Sequence, residues 1–127
     1  MADRKRILVA DDDPDLLDLL KLDLSYQGYE ILTAANGKDA LQMAVSEKFD
    51  LVLLDVMMPY IDGYHVASEI TTKLGAAAPK IMVMTSRDTG REKGIALLSG
   101  ALAVIQKPFT MAQIHTAISG LLEKSEH

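Results

Sequence analysis

Leu51-Val52-Leu53-Leu54-Asp55 is the stretch of sequence that decides the fold. Four consecutive apolar residues predict a central strand of a parallel sheet, because such a strand is covered on both faces and needs no polar alternation. The run stops at an acid, and Pro59 and Asp62-Gly63 then predict a loop before the next helix. The central strand therefore carries an aspartate at its carboxyl end.

The chain on either side of this strand repeats one order, a short apolar run and then a segment with helical spacing. The other strands are predicted at residues 6–10, 29–34, 80–84 and 102–105, each followed by a helix. Asp13-Pro14 is a typical helix start, and Thr110 with Gln113 matches a capping box. Gly90 and Gly94 lower the helix propensity of the fourth helix, predicted around residues 91–98. Five strands alternating with five helices predict a doubly wound α/β fold with a parallel sheet.

Length, cysteine content and charge limit the class of protein. The 127 residues fit one domain. The absence of cysteine excludes disulfides, thiolate zinc sites and thiol nucleophiles, and no apolar run approaches the about 20 residues needed to span a bilayer or the stretch that a signal peptide requires. A net charge of −5 argues against direct nucleic-acid binding, because phosphate contacts need clustered lysine and arginine. We therefore expect a cytoplasmic domain that binds neither membrane nor nucleic acid.

Polar residues stand where four of the predicted strands end. They are Asp11 and Asp12 after the first strand, Asp55 after the third, Thr85 after the fourth and Lys107 after the fifth. Ligands of doubly wound sheets bind in the crevice outside these strand ends. Three neighbouring carboxylates would repel one another without a cation, and oxygen ligands together with a phosphate-bearing substrate suit Mg²⁺. We therefore expect a Mg²⁺ site at this edge of the sheet, with Asp13 as a helix cap beside it.

Asp55 is the predicted nucleophile of this site. A carboxylate can attack phosphorus and form an aspartyl phosphate, and it needs no general base because it is already ionised. Phosphoryl transfer depends mainly on positioning and charge neutralisation. The ammonium group of Lys107 and the hydroxyl group of Thr85 can each contact one phosphoryl oxygen.

Four short motifs resemble the receiver domain family of two-component response regulators. They are Val9–Asp13, Leu53–Pro59 with Asp62-Gly63, Thr85-Ser86, and Lys107-Pro108-Phe109. The resemblance implies a single receiver domain over residues 1–127, with its core at about residues 5–123. It also implies a flavodoxin-like sheet of five parallel strands in the order 2-1-3-4-5, with five helices.

The same resemblance implies a role for each residue at the strand ends. Asp55 would be the phosphoacceptor, and Lys107, whose bond to Pro108 is often cis in the family, would contact the phosphoryl group. Thr85 would move toward that group. The Mg²⁺ ligands would be Asp12, Asp55 and the backbone carbonyl of Met57, with Asp11 acting through water.

Partners are also implied by the resemblance. The phosphoryl donor would be a histidine kinase or a histidine phosphotransfer protein, and phosphorylation would change binding to a downstream effector protein or a fused output domain, or would form a homodimer. Such a domain is not an enzyme in the usual sense, since it catalyses only its own phosphorylation and autodephosphorylation. In the family, the residues at the positions of Met57 and Arg87 set the rate at which the aspartyl phosphate is hydrolysed. Neither side chain here offers a carboxylate or amide to align an attacking water, so we expect slow autodephosphorylation.

Two positions depart from the family pattern. Val104 stands where the family usually has Tyr or Phe three residues before the lysine, and Tyr60 stands where the loop often has glycine. Valine is stiff at χ1 and too short to swing between solvent and core. We therefore expect the signal to leave the site by a route other than an aromatic rotamer, through residues 86–90 and the fourth helix.

Three alternative functions remain open at this point. A Mg²⁺-dependent phosphohydrolase with an aspartyl nucleophile would usually carry a second aspartate at the position of Met57. A pseudo-receiver adaptor that never binds phosphate would not need the full set of acids, Thr85 and Lys107. A flavodoxin that binds FMN would need serine, threonine and glycine amides in the acidic loop of residues 10–14.

Overall fold

Five strands and five helices alternate along the chain in the computed structural model, which describes residues 4–123. Residues 1–3 and 124–127 of the predicted domain lie outside the described residues. The elements are β1 (Arg6–Ala10), α1 (Pro14–Tyr26), β2 (Glu30–Ala34), α2 (Gly37–Ser46), β3 (Leu51–Asp55), α3 (Gly63–Leu74), β4 (Lys80–Thr85), α4 (Thr89–Ser99), β5 (Ala103–Gln106) and α5 (Met111–Glu123). A short 3-10 helix, Gly75–Ala77, which the sequence did not predict, precedes β4.

The sheet has the order β2-β1-β3-β4-β5, and every neighbouring pair of strands is parallel. The predicted flavodoxin-like order 2-1-3-4-5 is confirmed. All five residues of β3, Leu51–Asp55, are buried, as expected for a central strand covered on both faces. The strand order reverses between β1 and β3, which opens a crevice outside their carboxyl ends.

Side chains that alternate along the strands divide the core into two layers. One layer joins the sheet to α1 and α5, through residues such as Leu20 and Ile118. The other joins it to α2, α3 and α4, through residues such as Ala40, Ile70 and Ala96. Helices therefore cover both faces of the sheet, as the doubly wound prediction requires.

The starts of α1 and α5 follow the capping residues that the sequence predicted. The Asp13 carboxylate accepts hydrogen bonds from the N–H groups of Asp15 and Leu16 at the start of α1. The capping box of α5 is complete, since Thr110 and Gln113 each accept a hydrogen bond from the backbone N–H of the other. α4 begins at Thr89, two residues earlier than predicted, because the carboxylate of Asp88 caps its first turn at Gly90 (2.9 Å).

No helix within residues 4–123 is both long enough and apolar enough to cross a membrane. This agrees with the absence of a long apolar run in the sequence.

Candidate functional site

The period of the strands decides which predicted residues share a face of the sheet. Alternate residues of β1, β3 and β5 pack against α1 and α5, and the next residue in each of these series is Asp11, Asp55 or Lys107. In β4 the alternate residues that end at Thr85 lie on the opposite face, which packs against α3 and α4. The acids and the lysine therefore meet on one side of the strand ends, with Thr85 turned toward the other.

Lys107 bridges two of the three predicted acids. Its Nζ atom lies 2.6 Å from Oδ2 of Asp11 and 3.0 Å from Oδ1 of Asp55. The two carboxylates are almost fully buried, with 1% and 7% of their side-chain surfaces exposed, and the lysine side chain is 23% exposed. The sequence placed Lys107 at this edge but did not predict that its ammonium group would neutralise the buried acids.

Burial and neighbouring charges shift the pKa values of Asp55 and Lys107. Burial raises the pKa of Asp55, the hydrogen bond from Lys107 opposes the rise, and the nearby charge of Asp11 adds to it. Burial works to lower the pKa of Lys107, but its bonds to Asp11 and Asp55 outweigh that effect and raise the pKa. The lysine is therefore held in its charged form, and the fold places the Asp55 carboxylate where its charge is poorly solvated.

Asp12 completes the acidic cluster on its solvent side. One carboxylate oxygen from each of Asp11, Asp12 and Asp55 lies within 4.8 Å of the others, and Asp12 is exposed. A Mg²⁺ ion takes oxygen ligands and keeps several waters, so two buried carboxylates and one open to solvent form a donor set that fits it. Asp13 is turned away as the cap of α1, as predicted, and its N–H donates to Asp11 (3.0 Å).

Thr85 lies between the strand ends that carry Asp55 and Lys107. The N–H of Lys107 donates to the carbonyl of Thr85 (2.7 Å), and the N–H of Val56 donates to the carbonyl of Met84 (2.9 Å). The Thr85 side chain is fully buried, and its hydroxyl accepts a hydrogen bond from the N–H of Arg87 (3.0 Å). This hydroxyl therefore fixes the first turn of the loop that leads to α4.

Arg87 and Met57 meet beside the acidic cluster. The guanidinium Nη2 of Arg87 lies 3.3 Å from the sulfur of Met57, a side chain that is 55% exposed. The sequence identified both positions through the family resemblance, but nothing in it indicated that the two side chains touch. Their contact connects the loop after Asp55 with the loop after Thr85.

Gly63 fixes the other end of the loop that follows Asp55. A Cβ atom at this position would lie 2.4 Å from the carbonyl oxygen of Asp55, so only glycine allows this approach. The N–H of Gly63 donates to the carbonyl of Val56 (3.0 Å). The start of α3 is therefore held directly against the backbone of Asp55. The peptide bond between Lys107 and Pro108 is cis, as the resemblance implied.

This fold and site define a class of protein, a doubly wound α/β domain in which three aspartates at the carboxyl edge of the sheet could hold a metal ion. The family of the response regulator receiver domain matches residues 7–119. The chain belongs to this family, and it is a receiver domain of the two-component response regulator type, with an aspartate cluster that fits a phosphoacceptor site.

Curated relatives agree with this assignment. The chain is 34% identical over 122 residues to the alkaline phosphatase synthesis transcriptional regulatory protein PhoP of Bacillus subtilis, an alignment that covers 96% of this chain and 50% of that protein. It is 37% identical to the response regulator MprA of Mycolicibacterium vanbaalenii, covering 94% and 51% of the two chains. The chain therefore spans about half the length of these relatives.

Solved structures show the same fold. The receiver domain protein (CheY-like) of Methanospirillum hungatei superposes with a TM-score of 0.90 at 29% identity, over 98% of both chains. The response regulator TrrA of Thermotoga maritima, in complex with Mg²⁺ and BeF, has a TM-score of 0.83 at 39% identity, over 93% of this chain and 99% of that one.

Proposed function

We propose that Asp55 accepts a phosphoryl group from a phosphorylated histidine of a histidine kinase or a histidine phosphotransfer protein. The observation that carries the proposal is the buried Asp55 carboxylate at the end of the central strand, 3.0 Å from the ammonium group of Lys107 and within 4.8 Å of two further acids. In the transfer, a carboxylate oxygen of Asp55 forms a bond to phosphorus, and the bond from phosphorus to the donor imidazole nitrogen breaks. The electron pair of that bond stays on the imidazole.

We propose Mg²⁺ as the cofactor, held directly by Asp12, Asp55 and the backbone carbonyl of Met57, and through water by Asp11. The support is the set of three carboxylate oxygens within 4.8 Å of one another and the Mg²⁺–BeF complex of the similar TrrA. When bound, the ion would neutralise charge on the phosphoryl oxygens.

Lys107 and Thr85 are the proposed contacts of the remaining phosphoryl oxygens. The ammonium group of Lys107 already touches Asp55, so it can pass to a phosphoryl oxygen with a small movement. Thr85 has to bring its buried hydroxyl toward Asp55 in order to donate to the phosphoryl group. Phosphorylation therefore moves a residue that belongs to the α4 side of the sheet.

The whole-protein role is a proposal of the same kind. We propose that the phosphorylated domain changes its binding to a downstream effector protein or a fused output domain, since the named relatives are regulatory proteins about twice as long. A phosphorylation-dependent homodimer is one form that this change can take. We place this signalling domain, over residues 1–127, in the cytoplasm, without direct contact of its own to nucleic acid or membrane.

A Mg²⁺-dependent phosphohydrolase is the second candidate function, and the site offers it little support. An aspartyl-phosphate enzyme with turnover needs a group that aligns an attacking water, and the position two residues after Asp55 holds the thioether of Met57, in contact with Arg87. We therefore propose a domain that catalyses its own phosphorylation and slow autodephosphorylation, and does not turn over external phosphate esters.

Intact-mass spectrometry with acetyl phosphate tests the proposal. With Mg²⁺, the wild type should gain one labile phosphoryl group, and without Mg²⁺ or in Asp55→Asn it should gain none. Asp18→Asn, which removes an exposed acid of α1, is the matched control and should be phosphorylated like the wild type. An adduct that persists in Asp55→Asn would refute the assignment of the acceptor, and no adduct in the wild type would support the pseudo-receiver alternative.

A further inference from the structure

A hydrogen bond between α3 and α4 joins two residues that the phosphoryl chemistry does not use. The hydroxyl of Tyr64, the second residue of α3, donates to Oε1 of Glu92 in the first turn of α4 at 2.6 Å. Glu92 is only 4% exposed. Burial and then the bond to Glu92 raise the pKa of Tyr64 above its ordinary value, so its hydroxyl keeps the proton that it donates.

Among the described side chains of residues 4–123, this bond is the one side-chain hydrogen bond between the first turn of α4 and another helix or strand. Of the α4 side chains that the structure describes, only Glu92, Ala96 and Ser99 are buried, and the larger apolar ones, including Leu97 and Leu98, are mostly exposed. Ala96 alone buries little apolar surface, so packing contributes little to holding this helix. A helix held by few buried contacts opens or shifts at low cost.

The end of α4 is held more firmly than its start. The hydroxyl of Thr71 on α3 contacts the carbonyl of Ser99 (3.4 Å), and a Cβ atom at Gly100 would lie 2.5 Å from the methyl group of Thr71. Ala101, just beyond, is 1% exposed and donates its N–H to the carbonyl of Ala96. The start of α4 can therefore move about a fixed end once the bond of Tyr64 to Glu92 is broken.

Each partner of this bond is tied to a different side of the phosphoryl site. Tyr64 directly follows Gly63, which is pressed against the carbonyl of Asp55. Glu92 is in the first turn of α4, which begins four residues after Thr85, and the Thr85 hydroxyl fixes the intervening loop through the N–H of Arg87. A movement of Thr85 toward a phosphoryl group on Asp55 therefore displaces Glu92 relative to Tyr64.

We propose that the hydrogen bond from Tyr64 to Glu92 is a latch that holds α4 in its unphosphorylated position and is released when Asp55 is phosphorylated. The inference rests on the proposed function of Asp55. It supplies a route out of the site that needs no aromatic ring at Val104, because the contact that changes is a hydrogen bond between two helices and not a side-chain rotamer in the core. In this route the tyrosine that carries the signal is Tyr64 on α3, and not an aromatic residue at the position of Val104 on β5.

Linkage gives the latch a measurable consequence. A contact present in only one of two states biases their equilibrium by its own free energy, and a ligand that favours the other state then binds more weakly. A hydrogen bond to a buried carboxylate is strong enough to change that equilibrium about ten-fold. Breaking the bond should therefore tighten binding of a phosphoryl mimic by about ten-fold, although it also destabilises the fold.

The test is a calorimetric titration of Mg²⁺ with beryllofluoride, the combination bound by TrrA, into the wild type and Tyr64→Phe, with Tm measured for both. We expect Tyr64→Phe to have a lower Tm and an about ten-fold tighter mimic affinity. Tyr26→Phe, which removes the hydroxyl of a tyrosine that is 89% exposed on α1, is the matched control and should change neither quantity. Glu92→Met, which removes the acceptor oxygen, should act in the same direction as Tyr64→Phe, and its effect on mimic affinity should largely disappear in the Tyr64→Phe background.

Two outcomes overturn the latch. A lower Tm with unchanged mimic affinity means that the bond persists in both states and is only structural, and weaker mimic binding means that the bond belongs to the phosphorylated state. If Tyr64→Phe does not fold, Glu92→Met alone decides between the same results. Failure of the wild type to bind the mimic would be a different result, since it would refute the proposed function itself.

Discussion

Replacing Lys107 by methionine should destabilise the protein, because it leaves two buried carboxylates without their shared counter-charge. Lys107 bonds Asp11 at 2.6 Å and Asp55 at 3.0 Å. Removing one partner of a buried ion pair costs about 3–5 kcal/mol. Because the lysine side chain is 23% exposed and water can partly replace it, we expect a loss of about 2–3 kcal/mol at pH 7 in Mg²⁺-free buffer, which corresponds to a fall in Tm of about 10 °C.

The loss should depend on pH in a defined direction. The pKa of Asp55 is raised in the folded protein, so folding favours its protonated form, and this residue lowers the free energy of unfolding as pH rises through the carboxyl range. Without Lys107 that pKa rises further. The difference in stability between the wild type and Lys107→Met should therefore be largest near pH 7 and should shrink as the pH falls toward the pKa of Asp55.

Mg²⁺ should restore part of the lost stability. A cation between the carboxylates replaces the missing ammonium charge, and at a concentration 100 times its Kd a ligand adds about 2.7 kcal/mol. Urea unfolding followed by circular dichroism at pH 7 and pH 5, with and without Mg²⁺, measures these effects. Lys21→Met, which removes an exposed lysine of α1, is the control. A loss below about 0.5 kcal/mol that does not change with pH would refute the reasoning, because this is the range of ordinary surface substitutions.

The remaining predictions concern metal, phosphoryl lifetime, backbone strain and the output route. Mg²⁺ should raise the Tm of the wild type but not of Asp12→Ala, and an unchanged Mg²⁺ affinity in that variant would place the site elsewhere. Arg87→Glu with Met57→Asn should lose the phosphoryl group faster in a mass-spectrometric time course, because these side chains can align a water; an equal decay rate contradicts this. Tyr60 has a φ of +71° and is fully exposed, so Tyr60→Asn should stabilise the fold by up to about 1 kcal/mol in urea unfolding, and a loss of stability would show that its side chain has a structural role. With Mg²⁺ and beryllofluoride, amide hydrogen exchange should change most in residues 86–100 and little in α1, and a change confined to the loop after Asp55 would exclude this route.

The sequence predicted the fold, and the edge of the sheet at which the acids and Lys107 meet, because both depend on local patterns. Continuous apolar runs of four or five residues that end in an acid or a hydroxyl can be read without knowing any long-range contact. The rule that ligands bind at the carboxyl ends of parallel strands then brings Asp11, Asp55 and Lys107 to one edge. The two-residue period of the strands even contains the information that Thr85 faces the side opposite to these three residues.

The contacts between the side chains were not predictable in the same way. Lys107 lies 96 residues after Asp11 in sequence, and whether its ammonium group reaches an acid or solvent depends on how β5 is placed beside β4. The contact of Arg87 with Met57 joins two loops, and loop side chains follow no period. Helical boundaries shifted where a cap overrode propensity, as at Asp88, which starts α4 in spite of Gly90.

The hydrogen bond between Tyr64 and Glu92 could not be predicted from the sequence. In the sequence, Tyr64 is one aromatic residue near a predicted helix start, and Glu92 is one charge in a glycine-containing helix that would normally be solvated. Only the packing of α4 against α3 brings them together as a hydrogen-bonded pair in which Glu92 is buried. The same weak packing that made this helix hard to delimit from sequence leaves its first turn with few contacts, among them the hydrogen bond from Tyr64 to Glu92. An element whose position depends on few contacts is one that a small movement of Thr85 would displace, and this is why we propose that the start of α4 carries the signal.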